Sequence, residues 1–424
     1  MGIHIKNVLA VIDGTVKRTD IYIDGNIIAG VGEIPEGFSA DTVIDGTDRL
    51  ASAGLVNTHT HTYMSLYRNY ADDLSFSDWL FGNISPLEDR TTPDDAYVGA
   101  TLACAEMIRT GTTTFVDMHM FRGMTCRAAD ECGMRAVISR GLCGEGDDEG
   151  GQRRLDEAFG EMEEYKNNSR LTFMLAPHAI YTCDTDYLKK VIALAGERKL
   201  PINIHLSETR YEVSQAVEKY GVSPVKYLDD LGMFGIKTLA AHCVHISDED
   251  IKILADRGVS VAANPKSNMK LGNGFAPIKK LLDSGVNVCI GTDSAASNNS
   301  LNMFSDMNFT ALVHKGTSED AQAVSAVEVH RMATENGAAA LGINAGKIEK
   351  GMLADIILLD LNTPQFNPRN NLVAAMSYSA TGSETDTVII DGKIVMRDKK
   401  LLTIDEEKLY YEANKIMERL RKEG

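Results

Sequence analysis

Residues 56–61 of the chain read VNTHTH, and they follow the short apolar approach of residues 51–55. We interpret this stretch as the end of a buried strand. Side chains alternate along a strand with a period of two, so His59 and His61 point to the same side. Two imidazoles at the carboxyl end of one strand are half of a metal site. Taken alone, the pair is equally consistent with two hydrogen-bonded histidines in a turn, so the metal interpretation depends on ligands elsewhere.

The bulk composition is that of an acidic globular protein. The chain has 424 residues, of which 44% are hydrophobic and 24% charged, and its formal net charge is −17. This charge repels nucleic-acid phosphates and anionic membranes, so we expect neither as a partner. The seven cysteines include no Cys-x-x-Cys pair, which argues against a thiolate metal site or a disulfide framework. Without a signal-peptide pattern or a long apolar run, the chain is expected to be cytoplasmic.

Both ends of the chain carry the pattern of β-hairpins. In residues 21–28 an Asp-Gly pair separates two β-branched runs, and residues 388–395 repeat that arrangement. We therefore predict one small β-sandwich domain, built from residues 1–52 and 347–424, that ends in a solvated helix beginning at residue 406. Two unrelated hairpins are the alternative.

The segment between residues 53 and 346 alternates short apolar runs with longer amphipathic stretches. Serial strand–helix units form a parallel sheet, and eight of them fit a closed (β/α)₈ barrel of the TIM type. An open, doubly wound sheet is the alternative, but no Gly-x-Gly-x-x-Gly turn follows the first strand. The predicted strands span residues 55–58, 113–117, 136–140, 171–176, 201–205, 238–242, 259–263 and 286–291.

Polar side chains follow these strands where a barrel places its active site, at the carboxyl ends. Because all strand ends share one rim, we expect these side chains to converge. After the histidines of the first strand, the rim residues are His178 after the fourth strand, His205 and His242 at the ends of the fifth and sixth, and Asp293 after the eighth.

Three imidazoles and one carboxylate of this rim make a complete ligand set for a divalent metal: His59, His61, His205 and Asp293. Such donors suit Zn²⁺, with Fe²⁺ as the alternative, and leave a position for water. A second metal usually needs a bridging lysine or glutamate, and residues 171–176 offer neither, so we predict one metal per subunit. The metal lowers the pKa of a water molecule and makes hydroxide available near neutral pH.

Two further side chains suit proton transfer beside this metal. Glu208 lies three residues after His205, where a carboxylic acid can act as general acid and base; a solvated surface glutamate is the alternative. We assign His242 to orienting the water and stabilising developing charge, because the ligand set is complete without it. Asp293 can accept the water's proton in addition to binding the metal.

Five short motifs surround these residues, at positions 57–61, 205–209, 241–245, 264–272 and 291–293. They resemble the amidohydrolase superfamily and, within it, the methylthioadenosine/S-adenosylhomocysteine deaminases. The resemblance covers nearly the whole chain. Deaminases of guanine, cytosine or pterins and hydrolases of chloro-triazines or cyclic amides share the metal pattern, so they are the alternative functions.

The resemblance implies hydrolytic deamination at C6 of an adenine ring in methylthioadenosine, S-adenosylhomocysteine or adenosine. Glu208 would protonate the ring nitrogen beside C6, and the activated water would attack that carbon. Trp79 would pack against the nucleoside, with a core tryptophan as the alternative. Glu88 would accept hydrogen bonds from the ribose hydroxyls, and His178 would contact the substrate. Ammonia and an inosine-type nucleoside are the implied products, and a homo-oligomer is the implied assembly.

The resemblance also implies a site for the homocysteine carboxylate. Arginines at the positions of Arg140 and Arg154 receive that group through the planar guanidinium fork. A small insertion blurs the register here, so Arg153 is the alternative to Arg154. The chain departs from the family at Ser294, where glycine often follows the metal-binding aspartate, and this weakens the assignment of the substrate.

Overall fold

The structure is a computed structural model that describes residues 2–423, and the strands of this part form three sheets. In chain order the strands are β1 Gly2–Ile12, β2 Thr15–Asp24, β3 Ile27–Val31, β4 Thr42–Asp45, β5 Arg49–Ala53, β6 Leu55–Thr60, β7 Thr112–His119, β8 Arg135–Leu142, β9 Leu171–Phe173, β10 Ala176–Pro177, β11 Ile202–Leu206, β12 Thr238–His242, β13 Ser260–Ala263, β14 Asn287–Ile290, β15 Ile356–Asp360, β16 Thr385–Ile390, β17 Lys393–Arg397 and β18 Lys400–Leu401.

Helices follow most of the central strands. The α-helices are α1 Ser85–Glu88, α2 Pro93–Arg109, α3 Met124–Cys132, α4 Glu149–Glu164, α5 Thr185–Arg198, α6 Arg210–Tyr220, α7 Pro224–Asp230, α8 Asp248–Arg257, α9 Pro265–Lys270, α10 Ile278–Asp283, α11 Ala295–Asn298, α12 Met303–Ser318, α13 Ala326–Met332, α14 Glu335–Leu341, α15 Leu372–Tyr378 and α16 Glu406–Lys422. A π-helix covers Asp78–Ile84, and short 3₁₀ turns cover Thr62–Tyr67, Met233–Gly235 and Pro364–Phe366. No helix within residues 2–423 is long and apolar enough to cross a membrane.

The helix boundaries follow from local sequence. α8 begins at a capping box, in which Ser247 accepts a hydrogen bond from the backbone of Asp250 and Asp250 accepts one from the backbone of Ser247. The helix ends at Gly258, whose φ of 66° lies in the left-handed region that glycine adopts without a steric penalty. α5 begins in the same way, because Asp184 accepts a hydrogen bond from the backbone of Tyr187.

The two ends of the chain share one nine-stranded sheet, with strand order β18-β17-β16-β15-β5-β1-β2-β3 and β4 beside β1. The two termini join where β15 pairs antiparallel with β5, so that Leu358 lies opposite Ala51. The predicted hairpins turn at residues 25–26 and 391–392. The strands of both ends thus lie in a single sheet, and a sandwich of two facing sheets is not confirmed.

The carboxyl-terminal helix α16 is less exposed than the solvated helix that the sequence predicted. It packs against α2, and its buried residues repeat at helical spacing as Leu409, Ala413, Met417 and Leu420. Arg419 of α16 also pairs with Asp95 of α2. One face of α16 is therefore part of the core, because its apolar residues pack against α2. The sequence pattern alone did not identify α2 as the partner.

The central part contains the predicted parallel strands in two sheets. One sheet has the order β10-β8-β7-β6 with β9 beside β8, and the other has the order β11-β12-β13-β14. The predicted fourth strand is interrupted between β9 and β10. Between them, Leu175 bonds to the start of β11: its N–H donates to the carbonyl of Pro201, and its carbonyl accepts from the N–H of Asn203. The mixed α/β architecture with parallel sheets is confirmed.

The two parallel sheets meet at two seams. An isolated parallel bridge joins Leu175 to Ile202 at one seam. At the other, the N–H of Asp293 donates to the carbonyl of His59 over 2.9 Å. The hydrogen-bond ladder is not continuous around all eight strands, so the structure establishes two parallel sheets rather than a closed barrel. A small buried cluster spans both sheets: Val116, Val137, Met174, Leu239, Ala262, Cys289 and Ala340.

A buried ion cluster connects β8 to the terminal sheet. Nε of Arg135 donates to Asp355 over 2.7 Å, and Nη2 donates to Asp391 over 2.9 Å. The side chains of Arg135 and Asp355 are 5% and 2% exposed. Removing one member of such a pair leaves the other charge unpaired in a poorly solvated site. The orientation of the central sheets against the terminal sheet therefore depends on this contact.

We expect Arg135→Met to lower the free energy of unfolding by about 3–5 kcal/mol, because Asp355 would stay buried without its counter-charge. Chemical denaturation measures the difference. The control variant Lys252→Met removes the exposed pair of Lys252 with Asp256 and should leave the free energy of unfolding nearly unchanged. Equal effects of the two substitutions would contradict a special role for the buried cluster.

Candidate metal and substrate site

The four predicted metal ligands lie together at the carboxyl ends of the parallel strands. Asp293 Oδ1 is 3.6 Å from His59 Nε2 and 3.4 Å from His61 Nε2. His205 Nε2 is 3.3 Å from His61 Nε2. By distance His242 belongs to the cluster too, since donor atoms of His59, His205 and His242 all lie within 4.8 Å of one another. These separations are those of atoms that can surround a single ion.

The surroundings of His59 indicate what this cluster is built to hold. The side chain is fully buried, and neither ring nitrogen has a hydrogen-bond partner among the described residues. A buried polar atom without a partner is costly, and a metal at Nε2 would satisfy one of the two nitrogens. Burial also lowers the pKa of His59 well below its usual value, which keeps the imidazole neutral as a metal ligand must be. The residues present therefore fit a metal ion.

Backbone carbonyls fix the orientation of two ligand rings. Nδ1 of His61 lies 2.7 Å from the carbonyl oxygen of Met118, and Nδ1 of His205 lies 2.8 Å from that of His178. A carbonyl oxygen only accepts, so Nδ1–H is the donor in each bond and Nε2 is left with a lone pair. Both lone pairs face the centre of the cluster, the arrangement that metal-binding histidines require.

Asp293 is held by two serine hydroxyls. Its Oδ2 accepts hydrogen bonds from Ser267 over 2.6 Å and from Ser297 over 2.9 Å, while Oδ1 faces the histidines. Burial alone would raise the pKa of Asp293, but the nearby imidazoles of His61 and His59 outweigh it and hold the pKa at about 2. The carboxylate is therefore ionised over the working range of an enzyme.

The backbone at these strand ends is unusual. Asp293, His242, Cys243 and Ser207 have φ values of 61°, 74°, 48° and 51°, in the left-handed region that non-glycine residues rarely adopt. Such conformations persist only where the surrounding structure imposes them, and they concentrate at functional sites. Here each lies at or beside a side chain of the cluster.

Glu208 and His242 form the predicted proton-transfer pair. Glu208 Oε2 is 3.8 Å from His242 Nε2, and Glu208 Oε1 accepts a hydrogen bond from Asn273 over 2.9 Å. Burial raises the pKa of Glu208, which favours the protonated form that a general acid needs. Burial lowers the pKa of His242, but the carboxylates of Glu208 and Asp293 outweigh this and raise it. Nδ1 of His242 is in turn held 2.9 Å from Asn268 Oδ1.

A cavity that is open to solvent lies above the cluster. Trp79 of the π-helix lines its wall and is buried beside Phe76, so it is both a core residue and a cavity residue. Glu88 lines the same cavity and accepts a hydrogen bond from the hydroxyl of Tyr63. Burial raises the pKa of Glu88. The remaining lining side chains are mostly apolar or belong to the cluster: His61, Met64, Leu80, Met120, His178, Tyr181, His205, Glu208, His242, Leu271, Asp293 and Ser294.

The predicted arginines lie outside this lining. Nε of Arg140 donates to Glu157 over 2.9 Å, and its Nη1 donates to the carbonyl of Gly141 over 2.9 Å. Arg154 donates to the carbonyl of Cys143 over 3.1 Å, and the side chain of Arg153 is 68% exposed. Their role towards a carboxylate stays a prediction.

Two other predicted positions are at the cavity. His178 lies beside His205, with ring centroids 4.6 Å apart, and burial lowers its pKa to about 3, so the ring is neutral. Ser294 caps α11, because its hydroxyl accepts a hydrogen bond from the backbone of Ser297 over 3.0 Å. The serine that departs from the family pattern thus has a local structural role at the edge of the cavity.

Several site residues escaped the sequence reasoning because no motif marks their contacts, some of which join residues distant in the chain and some of which lie within one turn. Ser267 and Asn268 lie inside the motif at 264–272, and Asn273 follows it, so that motif was the available signal. Tyr63 lies two residues after His61 but bonds to a residue 25 positions along the chain. The missed residues are Tyr63, Glu212, Ser267, Asn268, Asn273 and Ser297.

Known proteins resemble this chain over nearly its full length. Residues 50–395 match the family model described as the Amidohydrolase family. The 5-methylthioadenosine/S-adenosylhomocysteine deaminase of Caldanaerobacter subterraneus subsp. tengcongensis is 45% identical over 422 residues, which are 98% of each chain. The 5'-deoxyadenosine deaminase of Methanocaldococcus jannaschii is 45% identical over 427 residues, which cover 99% of this chain and 100% of the relative.

Two solved structures share the fold of this chain. An adenosine deaminase from Xanthomonas campestris with bound zinc superposes with a TM-score of 0.95 at 31% identity, over 99% of this chain and 98% of the other. An atrazine chlorohydrolase from Arthrobacter aurescens, 24% identical with a TM-score of 0.91 over 98% of this chain and 100% of the other, shares the fold. With the matched family model and the full-length relatives, the predicted membership is confirmed: the chain belongs to the amidohydrolase family.

Proposed function

We propose that this protein is a metal-dependent hydrolase that removes the 6-amino group of adenine-type nucleosides. The substrates are methylthioadenosine, S-adenosylhomocysteine and adenosine-like compounds, and the products are ammonia and an inosine-type nucleoside. The observation that carries the proposal is the convergence of a buried acid, Glu208, with the histidine–aspartate cluster on the floor of one cavity. The names of the relatives, which are 45% identical over nearly the full length, support the choice of substrate class.

We further propose that the two parallel sheets are halves of one (β/α)₈ barrel spanning residues 53–346. The buried cluster that spans both sheets and the two seams between them support this arrangement. The terminal residues 1–52 and 347–424 would then form a separate β domain. The cavity would lie at the catalytic rim of the barrel, where loops after several strands combine in one site.

We assign His59, His61, His205 and Asp293 as the ligands of one Zn²⁺ ion. The unpartnered nitrogens of His59 and the fixed lone pairs of the other two rings support this set. The zinc bound to the 31% identical adenosine deaminase from Xanthomonas campestris supports the choice of zinc over iron. When bound, the metal supplies Lewis-acid activation of a water molecule.

The protein's own side chains would carry the protons. Protonated Glu208 donates to the ring nitrogen beside C6, which makes that carbon electrophilic. Water then adds to C6 while Asp293 accepts its proton, and His242 stabilises the negative charge that develops. That proton passes from Asp293 to the amino group, which leaves as ammonia. The proton of the new C6 hydroxyl returns to Glu208, so the ring keeps the oxygen as a carbonyl and the acid is restored. The raised pKa of Glu208 and the lowered pKa of Asp293 suit these opposite tasks.

The cavity wall would bind the rest of the nucleoside. Trp79 would pack against it, and His178, which lines the same cavity, would contact it. Tyr63 occupies one oxygen of Glu88, so the other oxygen is available to the ribose hydroxyls. Arg140 and Arg154 would receive a homocysteine carboxylate. Because Arg140 already pairs with Glu157, its guanidinium would have to serve two carboxylates at once.

A substrate panel tests the proposal directly. Metal-loaded protein should release one equivalent of ammonia from each of methylthioadenosine, S-adenosylhomocysteine and adenosine that it accepts, with loss of the adenine absorbance band. Guanine, cytosine, a pterin and a chloro-triazine form the comparison arm. Turnover of a compound in that arm, with no ammonia from any adenine nucleoside, would contradict the proposal and identify the alternative reaction.

The role of Glu208 predicts a selective loss of turnover. Glu208→Gln cannot donate the proton, so kcat should fall by about 10²–10⁴-fold while the metal is retained. Steady-state kinetics and elemental analysis measure the two quantities on the same sample. Glu163→Gln, which changes an exposed glutamate of α4, should match the wild-type protein. A Glu208→Gln enzyme with wild-type kcat would exclude this residue as the acid.

The ligand assignment predicts the metal content. Elemental analysis should find one equivalent of zinc per chain, and His59→Ala should lower this to a small fraction and abolish turnover. His4→Ala is the matched control, since His4 pairs with Asp20 in the terminal sheet and should leave the metal in place. Two equivalents of metal per wild-type chain would contradict the single-ion site.

A further inference from the structure

The first turn of α6 carries a buried glutamate that the reaction scheme does not use. Glu212 is 2% exposed, and both of its carboxylate oxygens accept backbone hydrogen bonds. Oε1 accepts from the N–H of Ser207 over 2.9 Å, and Oε2 accepts from the N–H of Glu208 over 2.8 Å. The side chain therefore reaches back over the turn that carries the general acid.

This turn needs such support. Ser207 has a φ of 51°, a conformation that non-glycine residues rarely adopt unless the surroundings impose it. Thr209 closes the other side of the turn by accepting a hydrogen bond from the N–H of Glu212 over 3.1 Å. Hydrogen bonds thus hold the backbone of residues 207–212 in a closed turn. The side chain of Glu208 points from this turn towards His242 and Asn273.

We infer that Glu212 is a positioning residue for Glu208, which holds the backbone of the left-handed turn and so aims the acid at the reacting ring. The inference rests on the proposed function, because it assigns Glu212 a task within that reaction. Glu212 does not line the cavity above the cluster but a neighbouring pocket beside Phe76 and Tyr181. The hydrogen bond from the N–H of Glu208 is the contact through which we expect it to affect turnover.

The chemistry of the side chain explains why a carboxylate is needed. An ionised carboxylate accepts at both oxygens, whereas the amide of glutamine accepts at one atom and presents N–H donors at the other. In Glu212→Gln, the side-chain NH₂ would face one of the two backbone N–H groups, so two donors would meet and that hydrogen bond would be lost. The volume of the side chain would hardly change. Burial raises the pKa of Glu212 to about 7, so assays at pH 8 examine the ionised form.

The test is a double-mutant cycle between the two glutamates. Glu212→Gln should lower kcat by about tenfold or more, with KM and metal content changed less than about twofold. In the Glu208→Gln background the same substitution should change kcat by less than about twofold, because residues acting through one group are not additive. If Glu212→Gln fails to fold, Glu212→Asp serves instead, since the shorter carboxylate cannot reach both N–H groups.

Asp250 provides a matched control, because it is also buried in the first helical turn and accepts a backbone hydrogen bond, in α8. Asp250→Asn should lower the melting temperature and leave kcat unchanged. A wild-type kcat in Glu212→Gln, or an equal loss of kcat with and without Glu208, would overturn the inference alone. Wild-type protein that releases no ammonia from any nucleoside would overturn the proposed function and the inference together.

Discussion

The backbone hydrogen bond from Asp293 to His59 is the contact on which the site depends. It joins the end of the last parallel strand to the end of the first, at a seam where the ladder is otherwise interrupted. The same two residues bring their side chains to 3.6 Å. Closing this seam therefore completes the ligand cluster, because the aspartate has no histidine partners until the two sheets meet. Fold and metal site are coupled at this seam, which hydrogen bonds between Asn57 and Thr292 and from Thr58 to the carbonyl of Ile290 also cross.

Burial disfavours the ionised form of Glu208 and of Asp293 alike, but the neighbours of the two carboxylates give opposite shifts of the pKa. Glu208 and Asp293 are both buried carboxylates, yet the pKa of one is raised and that of the other is lowered to about 2. The difference arises because Asp293 faces two imidazoles and accepts two serine hydroxyls, whereas Glu208 has one imidazole at 3.8 Å and one amide donor. Separating the pKa values of two nearby carboxylates lets one act as acid and the other as base.

The site also shows how a reactive group is held in place. The left-handed residues lie at strand ends, where the chain has to turn sharply and still direct a side chain into the cavity. Hydrogen bonds from residues that do not line the cavity hold both parts of this arrangement: Asn268 orients the ring of His242, and Glu212 accepts from the backbone N–H of Ser207. Rigid support of this kind reduces the reorganisation that the charges need during reaction. In the proposed reaction, these polar residues would act by holding the side chains that react.

The amino-acid sequence was enough to predict the parallel strands, the rim to which their polar residues belong and the family. These features are local: apolar runs of fixed length define strands, and a residue at the end of such a run must lie at the rim. The convergence of His59, His61, His205 and Asp293 followed from that rule. The packing of the elements set other contacts, such as the hydrogen bond from Ser267 to Asp293 and the pairing of Arg140 with Glu157. Such contacts depend on which elements pack together and on side-chain direction, and neither is encoded in a short-range pattern.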